Sequence, residues 1–400
     1  MQGFRTFGRD MAAGQRSYLD HNATSPLRPE AAEAVARALG ILGNPSSIHA
    51  EGRDARAVVE SSRDKVAALV GASANEVIFT SGGTEANNMV LSPSFGRVGE
   101  APATHLLVGA TEHPCVLDGH RFPPERVERI PVDRDGSVDL GWLARRLEQT
   151  LSGRVLVSIQ VANNETGVLQ PVAEAAALVR RAGGLIHSDA VQAAARMPLS
   201  LACLGVDALT LSAHKIGGPK GVGALVLGSD RLQVADRLVR GGGQERGSRA
   251  GTENVAGIAG FGAAAEAVSM GLTEERARLE TLRDFAEAEL RRMAPEAVVF
   301  GAAAGRLPNT LSFAMAGLKA ETALIRFDLE GVALSSGSAC SSGKVKRSHV
   351  LDAMGIEPVL ADGALRMSLG WNSTKADVIR FVETCEKLVS TLYKRRADAA

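Results

Sequence analysis

The chain reads as an α/β fold with a mostly parallel central sheet and a second, smaller α+β domain. Three observations lead there. Helix-patterned and strand-patterned segments alternate from about residue 28 onward. The strand-like runs are apolar throughout rather than alternating, as strands buried on both faces are. After residue 240 the composition changes: a stretch rich in Gly, Ser and charge precedes a long amphipathic helix and further alternating elements. Four hundred residues exceed what one small core organises. Residues 25–267 are therefore expected to form the large domain, and residues 1–24 with 268–400 the small one.

Taken in order, Pro29 suits the first turn of a helix carrying Val35, Ala38 and Leu39, and Gly40 stops it. A second helix is expected over residues 54–70, where Ala55, Val58, Val59, Val66 and Leu69 recur at helical spacing before Gly71. Buried-strand runs follow at Val77-Ile78-Phe79, Leu106-Leu107-Val108, residues 155–161, Leu185-Ile186, residues 208–211 and residues 224–227. Residues 171–183 read as a crossover helix. Residues 273–293 read as the long helix, with Leu279, Leu282, Ala286, Leu290 and Met293 inward. Beyond Pro295, Val298-Val299-Phe300, residues 310–315 and residues 365–369 supply the strands of the second domain.

Bulk properties narrow the function. Lys plus Arg and Asp plus Glu both total 45, so no net field recruits a polyanion, and neither nucleic acid nor a membrane is expected as partner. No uninterrupted apolar run approaches the roughly 20 residues that cross a bilayer. The first sixteen residues hold Arg5, Arg9 and Arg16 without the apolar centre of a secretory signal. Cys115, Cys203, Cys340 and Cys385 lie far apart and form neither a disulfide framework nor a CxxC pattern. No metal site is expected, and a reducing compartment, the cytoplasm, is.

The chemistry gathers where predicted strands end. Ser212-Ala213-His214-Lys215-Ile216-Gly217-Gly218-Pro219 follows the run at 208–211, and in open α/β sheets ligands bind at the carboxyl ends of strands. A lysine in a protected site there can lose its proton, and the free amine forms Schiff bases. Ser212 and His214 are placed to donate to a phosphate. A surface lysine in a Gly-Pro loop is the competing reading. Asp189, just after Leu185-Ile186, offers the anion that keeps a pyridinium ring protonated, with Gln192 three residues on placed for the ring's phenolic oxygen. An N-cap is the commoner role for such an aspartate.

Thr80-Ser81-Gly82-Gly83-Thr84 follows Val77-Ile78-Phe79 and opens a helix, so its N–H groups and the Thr84 hydroxyl form a phosphate cradle. His113 and Asn164 stand at two further strand ends. His113 is suited to stacking on an aromatic ring and shuttling protons; a buried structural histidine is its plainer reading. Ser335-Ser336-Gly337-Ser338-Ala339-Cys340-Ser341-Ser342-Gly343 surrounds one thiol with small polar residues, a setting for a usable cysteine. The other three cysteines read as packing residues. Arg366 is a candidate for bidentate binding of a substrate carboxylate, against the alternative of a solvent-facing strand arginine.

Together these segments closely resemble the NifS/IscS-type cysteine desulfurases, in the class V group of fold-type I pyridoxal-phosphate-dependent transferases. The likeness runs from Tyr18-Leu19-Asp20-His21-Asn22-Ala23-Thr24 to Ser368-Leu369-Gly370. It implies that Lys215 carries pyridoxal 5'-phosphate, that Asp189 pairs with the ring nitrogen, Gln192 with the phenolic oxygen, and that His113 stacks on the ring. It implies further that Gly83, Thr84, Ser212 and His214 hold the phosphate, and that Thr252 reaches the neighbouring subunit's site in a homodimer. Asn164 and Arg366 would position L-cysteine. Lys215, His113 and Cys340 would be catalytic, with Cys340 taking the sulfur as a persulfide for an Fe–S scaffold or other acceptor protein.

The loop around Cys340 is similar to that of the long-loop group serving Fe–S assembly, with one departure. Lys344-Val345-Lys346-Arg347 stands where an acidic residue and proline are common; the tract would alter acceptor choice, for example toward a more acidic scaffold, or is variable loop surface. The rival readings are a class V transaminase, a selenocysteine lyase and a cofactor-free scaffold. A transaminase has no use for Cys340, and a scaffold has none for Lys215, Asp189 and Gln192.

Overall fold

The computed structural model describes residues 16–149, 153–336 and 347–398. The apolar runs become a seven-stranded sheet: β1 (Val77–Thr80), β2 (Ala103–Gly109), β3 (Val127–Ile130), β4 (Arg154–Ser158), β5 (Leu185–Asp189), β6 (Ala208–Ser212) and β7 (Gly223–Leu227). Their order is β1-β7-β6-β5-β4-β2-β3. From β6 to β3 every neighbouring pair is parallel, and only β7 runs against its neighbours. Every residue of β1, β5, β6 and β7 is buried, which is why these segments show no period of two. The edge strand β3 escaped the sequence reading because Glu128 and Arg129 interrupt its apolar pattern.

Helices cover the sheet. α1 (Pro29–Leu39) ends at Gly40 as read from the sequence. α2 (Ala50–Leu69) starts at Ala50 rather than 54, because the His49 ring accepts the Gly52 N–H and caps it, an unusual use of histidine. α3 (Gly83–Val90) follows β1, α4 (Pro114–Leu117) follows β2, and α5 (Leu140–Glu148) precedes β4. α6 (Val172–Arg181) is the expected crossover.

The largest departure is α7 (Val255–Met293), a single 39-residue helix where only residues 273–293 were expected. Asn254 caps its start by accepting the Gly257 N–H at 3.0 Å. Its first half packs on the sheet core through Ile258, Phe261, Ala264, Ala265 and Val268 and shows no helical periodicity. A Cβ at Gly262 would lie 2.7 Å from the Ser62 Cα, so glycine lets α7 and α2 come this close. Its second half, through Leu279, Leu282, Ala286 and Leu290, belongs to another core.

That second core surrounds a three-stranded antiparallel sheet, β8 (Val298–Val299), β9 (Thr310–Ala314) and β10 (Leu365–Ser368), in that order. α8 (Ala320–Leu329) and α10 (Lys375–Asp398) cover it, with Phe313 edge-on and Phe327 stacked against Phe381. Leu19 joins this core, and Ser17–Tyr18 pairs in parallel with Val332–Ala333. α9 (His349–Ala353) follows the stretch around Cys340. Because β2, β4, β5 and β6 run parallel, their carboxyl ends share one edge, and β10 faces it with Arg366.

Candidate active site

Lys215 sits in a short 3-10 turn that begins where β6 ends. Gly217, at φ +86°, lets the chain reverse, and a Cβ there would meet the Arg28 side chain at 2.6 Å. Arg28 holds the turn: its N–H donates to the Gly217 carbonyl at 2.8 Å and its Nε to the Ile216 carbonyl at 3.1 Å. Its guanidinium also pairs with Glu275 at 2.8 Å, both side chains nearly buried. The Lys215 amine donates to the carbonyls of Asn22 at 2.5 Å and Ala23 at 2.8 Å. Burial, helped by the Arg366 cation and opposed by Asp20 and Asp189, lowers its pKa to about 8. A tenth of the amine, in order of magnitude, is then free near neutrality.

Asp189 ends β5 as a buried carboxylate. Its Oδ2 accepts from Asn87 Nδ2 at 2.7 Å and its Oδ1 from the Val191 N–H at 2.9 Å. Asn87 is itself held by Thr210 Oγ1 at 2.7 Å. No lysine or arginine forms an ion pair with Asp189 among the described residues. Its charge is felt at His113, whose pKa is lowered by the crowding of the cleft, raised by Asp189, and lowered again by Lys215 and His349. Those four residues therefore share one cleft. Gln192 donates from Nε2 to the same Asn22 carbonyl at 3.0 Å.

Cys115 packs against a hydrophobic core, as its reading as a packing residue has it, and also belongs to this cleft. Its sulfur lies 3.0 Å from His113 Nδ1 and 3.2 Å from Asn87 Nδ2. Burial and the Asp189 charge push its pKa up to about 12, so it stays a thiol and is a poor nucleophile. Cys385 is fully buried in the second core with its pKa pushed far up, and Cys203 is exposed. Cys340 lies outside the described residues.

The glycine turn opens α3, and no side chain caps the N–H groups at its start. Gly82 adopts φ +157°, and a Cβ at Gly83 would strike Val191 Cγ2 at 2.9 Å. Thr84 is exposed there, and Ser212 is buried across from Gly83. His214 Nδ1 lies 3.1 Å from Thr24 Oγ1. Arg249 braces the turn by donating to Glu85 at 2.9 Å and to Ser81 at 3.0 Å. Glu245, buried and at φ +47°, forms two bonds to the buried Arg63 guanidinium and accepts the Phe79 N–H at 2.9 Å. Thr252, three residues beyond Arg249, is exposed, and no hydrogen bond joins it to the cluster among the described residues.

Arg366 points from β10 into the same region and is not solvent-facing; its side chain is 5% exposed. Nη2 donates to Asp20 Oδ1 at 2.6 Å and Nη1 to the Asn164 carbonyl at 2.9 Å, while Nε is buried with no partner. Asn22 ties these pieces together. Its Nδ2 donates to the Asn164 carbonyl at 3.2 Å and to Thr310 Oγ1 at 2.9 Å, and its Oδ1 accepts from Asn309 Nδ2 at 3.0 Å. Asp20, Asn22, Arg28 and Asn87 carry no role in the sequence reading. Only Asn87, inside the motif after β1, stood close enough in sequence to a predicted site residue to be suspected.

A large α/β sheet with a lysine, a carboxylate and an uncapped glycine turn at its carboxyl edge defines an aminotransferase-like enzyme. The chain belongs to the aminotransferase class-V family, whose model matches residues 17–381; the family is pyridoxal-phosphate dependent. Within it, the chain falls among the cysteine desulfurases. It is 40% identical over 379 residues to "Cysteine desulfurase IscS" of Dictyoglomus turgidum, covering 94% of this chain and 95% of that protein. A "Cysteine desulfurase" of Cereibacter sphaeroides is 41% identical over 386 residues, covering 94% of this chain and 97% of its own. Among solved structures, a NifS-like protein from Rickettsia africae superposes with a TM-score of 0.85 at 34% identity, covering 94% of this chain and all of that one.

The residues present suit pyridoxal phosphate on the structure's own terms. Among the described residues, a buried carboxylate stands without an ion-pair partner. An amine of lowered pKa shares its cleft, and an uncapped helix start offers N–H groups to a phosphate.

Proposed function

We propose that the chain converts L-cysteine to L-alanine with pyridoxal phosphate carried on Lys215, and that Cys340 takes the sulfur as a persulfide. The observation that carries the reading is the buried, cation-free Asp189 carboxylate sharing a cleft with the depressed Lys215 amine. Among the relatives, those named cysteine desulfurase supply the substrate.

When bound, the cofactor supplies a protonated ring that accepts the electron pair released at the substrate Cα. Asp189 would keep the ring nitrogen protonated, Gln192 would serve the phenolic oxygen and His113 would stack on the ring. Gly83, Thr84, Ser212 and His214 hold the phosphate. Arg366, with its unpartnered Nε, binds the substrate carboxylate beside Asn164. Lys215 Nζ takes the Cα proton and returns a proton to Cα before alanine leaves. The Cys340 thiolate then attacks the substrate sulfur; a sulfur–sulfur bond forms, the Cβ–S bond breaks, and its electron pair stays on carbon. His113 handles the proton that completes the alanine methyl group.

The same reading has Thr252 reaching a second subunit's phosphate in a homodimer. It hands the persulfide sulfur to an acceptor protein in the cytoplasm for Fe–S assembly or another thio-cofactor. It also keeps residues 25–267 as the cofactor-binding domain and assigns the rest to the small one. Cysteine turnover followed by mass spectrometry tests it: sulfur is expected on Cys340, and Cys340→Ala is expected to keep the yellow lysine-bound cofactor while losing alanine formation. Undiminished steady-state alanine release by that variant would refute the persulfide relay and favour simple lyase chemistry.

A further inference from the structure

Beneath the cleft lies a ledge made from the turns that follow β2 and β4. Gln160 Nε2 and Asn163 Nδ2 both donate to the Thr111 carbonyl, at 2.7 and 2.9 Å. The Gln160 N–H donates to Glu112 Oε1 at 2.6 Å. Asn163 Oδ1 in turn accepts the N–H groups of Glu165 and Thr166, each at 2.9 Å. Glu112, Gln160, Asn163, Glu165 and Thr166 are all buried. The two turns that present His113 and Asn164 are thereby one rigid piece.

Ser348 and His349, which follow Cys340 closely in the chain, are fastened to that ledge at two points. Ser348 is buried and donates from Oγ to Glu165 Oε2 at 2.5 Å, while accepting the Leu351 N–H as the cap of α9. His349 Nε2 lies 2.8 Å from the Glu112 carbonyl. A carbonyl only accepts, so Nε2 carries the proton, and the bond falls on the peptide unit joining Glu112 to His113. Behind it, Val350 and Leu351 anchor α9 in a core with Phe300 and Ala314. On the other side of Cys340, Ser335 exchanges two backbone bonds with Arg366, at 3.2 and 2.7 Å.

We propose that His349 is a positioning residue for sulfur transfer, holding the His113 peptide unit in register with the chain that follows Cys340. The proposal rests on the reading that Cys340 accepts the sulfur and His113 handles the proton. A helix cap alone requires only Ser348. The additional bond from His349 ends on the residue before the proton handler, so a displaced α9 moves His113, and a displaced His113 moves α9. Proton transfer is sensitive to displacements well under a bond length, whereas cofactor loading through Lys215 and Asp189 does not pass through this contact.

The test uses the cofactor-loaded enzyme. In His349→Ala the yellow absorbance is expected at full intensity, KM for cysteine within roughly twofold, and kcat for alanine lower by about tenfold. In the same variant the alkaline limb of the pH profile moves to higher pH, because His113 must be protonated to deliver its proton and His349 helps hold its pKa down. His349→Gln places an amide nitrogen where Nε2 stands and restores most of kcat; His349→Asn is too short and does not. That Gln/Asn pair decides the matter even if the alanine variant fails to fold. Amide hydrogen exchange at residues 115–117 and 350–354 is expected to accelerate in His349→Asn, with no change around Lys215.

Wild-type kcat in His349→Asn, or equal loss in Gln and Asn, overturns the proposal. Activity loss that tracks loss of bound cofactor does so as well. Cys340→Ala run in parallel separates the two levels: if it still releases alanine, the persulfide reading is at fault rather than the role of His349.

Discussion

The depressed Lys215 pKa predicts how this amine reacts as pH changes. With a pKa of about 8, roughly 9% of the amine is unprotonated at pH 7; at its ordinary value of 10.5 the share is about 0.03%. The fold therefore raises the reactive fraction about 300-fold. The measurement is competitive acylation of the cofactor-free protein by a brief pulse of reagent, from about pH 6 to about pH 11. Peptide mass spectrometry then compares Lys215 with the exposed Lys220. Half-maximal reactivity of Lys215 is expected near pH 8, well below the ordinary lysine value of 10.5.

The causes make a second-order test. Arg366→Met removes a cation and should raise the midpoint, whereas Asp20→Asn removes an anion and should lower it. The sign carries into stability. Between about pH 8 and 10.5 the unfolded chain binds the proton that folded Lys215 has released, so the cofactor-free protein gains stability as pH rises through that window and stops gaining above it. A Lys215 midpoint at the ordinary value of 10.5, or shifts opposite to those stated, would refute the assignment of a buried, cation-facing amine.

Asp189→Asn keeps the shape of the Asn87 and Val191 contacts but removes the charge, and turnover should fall by about 10³-fold or more while the fold persists; steady-state alanine release and a thermal melt read both. Breaking the buried Arg63–Glu245 pair by Glu245→Ala should destabilise the cofactor-free protein by about 1–3 kcal/mol in urea unfolding, since Arg63 keeps only the half-exposed Glu60 and the Val77 carbonyl while the Phe79 N–H loses its side-chain acceptor. Arg63→Met with Glu245→Gln should lose less than the sum of the two single variants.

The strand-end residues were legible because each follows an apolar run too short to be a helix, and because several strand ends carry matching polar groups at once, although each residue alone has an ordinary structural reading. Asp189 and Lys215 are of this kind. The other half of the site was not legible, since its logic is long-range. Asn22 meets Asn164, Thr310, Asn309, Gln192 and Lys215, partners up to 288 residues away along the chain, and a lone Asn advertises none of them. Cys115 looked like packing because its neighbours Val116 and Leu117 are apolar; only the fold puts its sulfur against His113. The first half of α7 failed for the opposite reason. Its Ala, Gly and Ile face protein on several sides, so the alternation that marks a surface helix is missing.

That helix has a consequence for how the protein is made. At 39 residues and about 1.5 Å per residue, it is a rod of about 58 Å whose two ends are claimed by different cores. Each core holds a stretch of the same hydrogen-bonded ladder, so fraying at one end removes packing from the other. During synthesis, the sheet must wait with the surface meant for Ile258 and Phe261 exposed until that segment leaves the ribosome. It is then capped by a rod that already reaches into unfinished territory. Fragments cut near residue 268 should consequently behave as sticky half-proteins, and complementing fragments should re-associate best when the break falls outside residues 255–293.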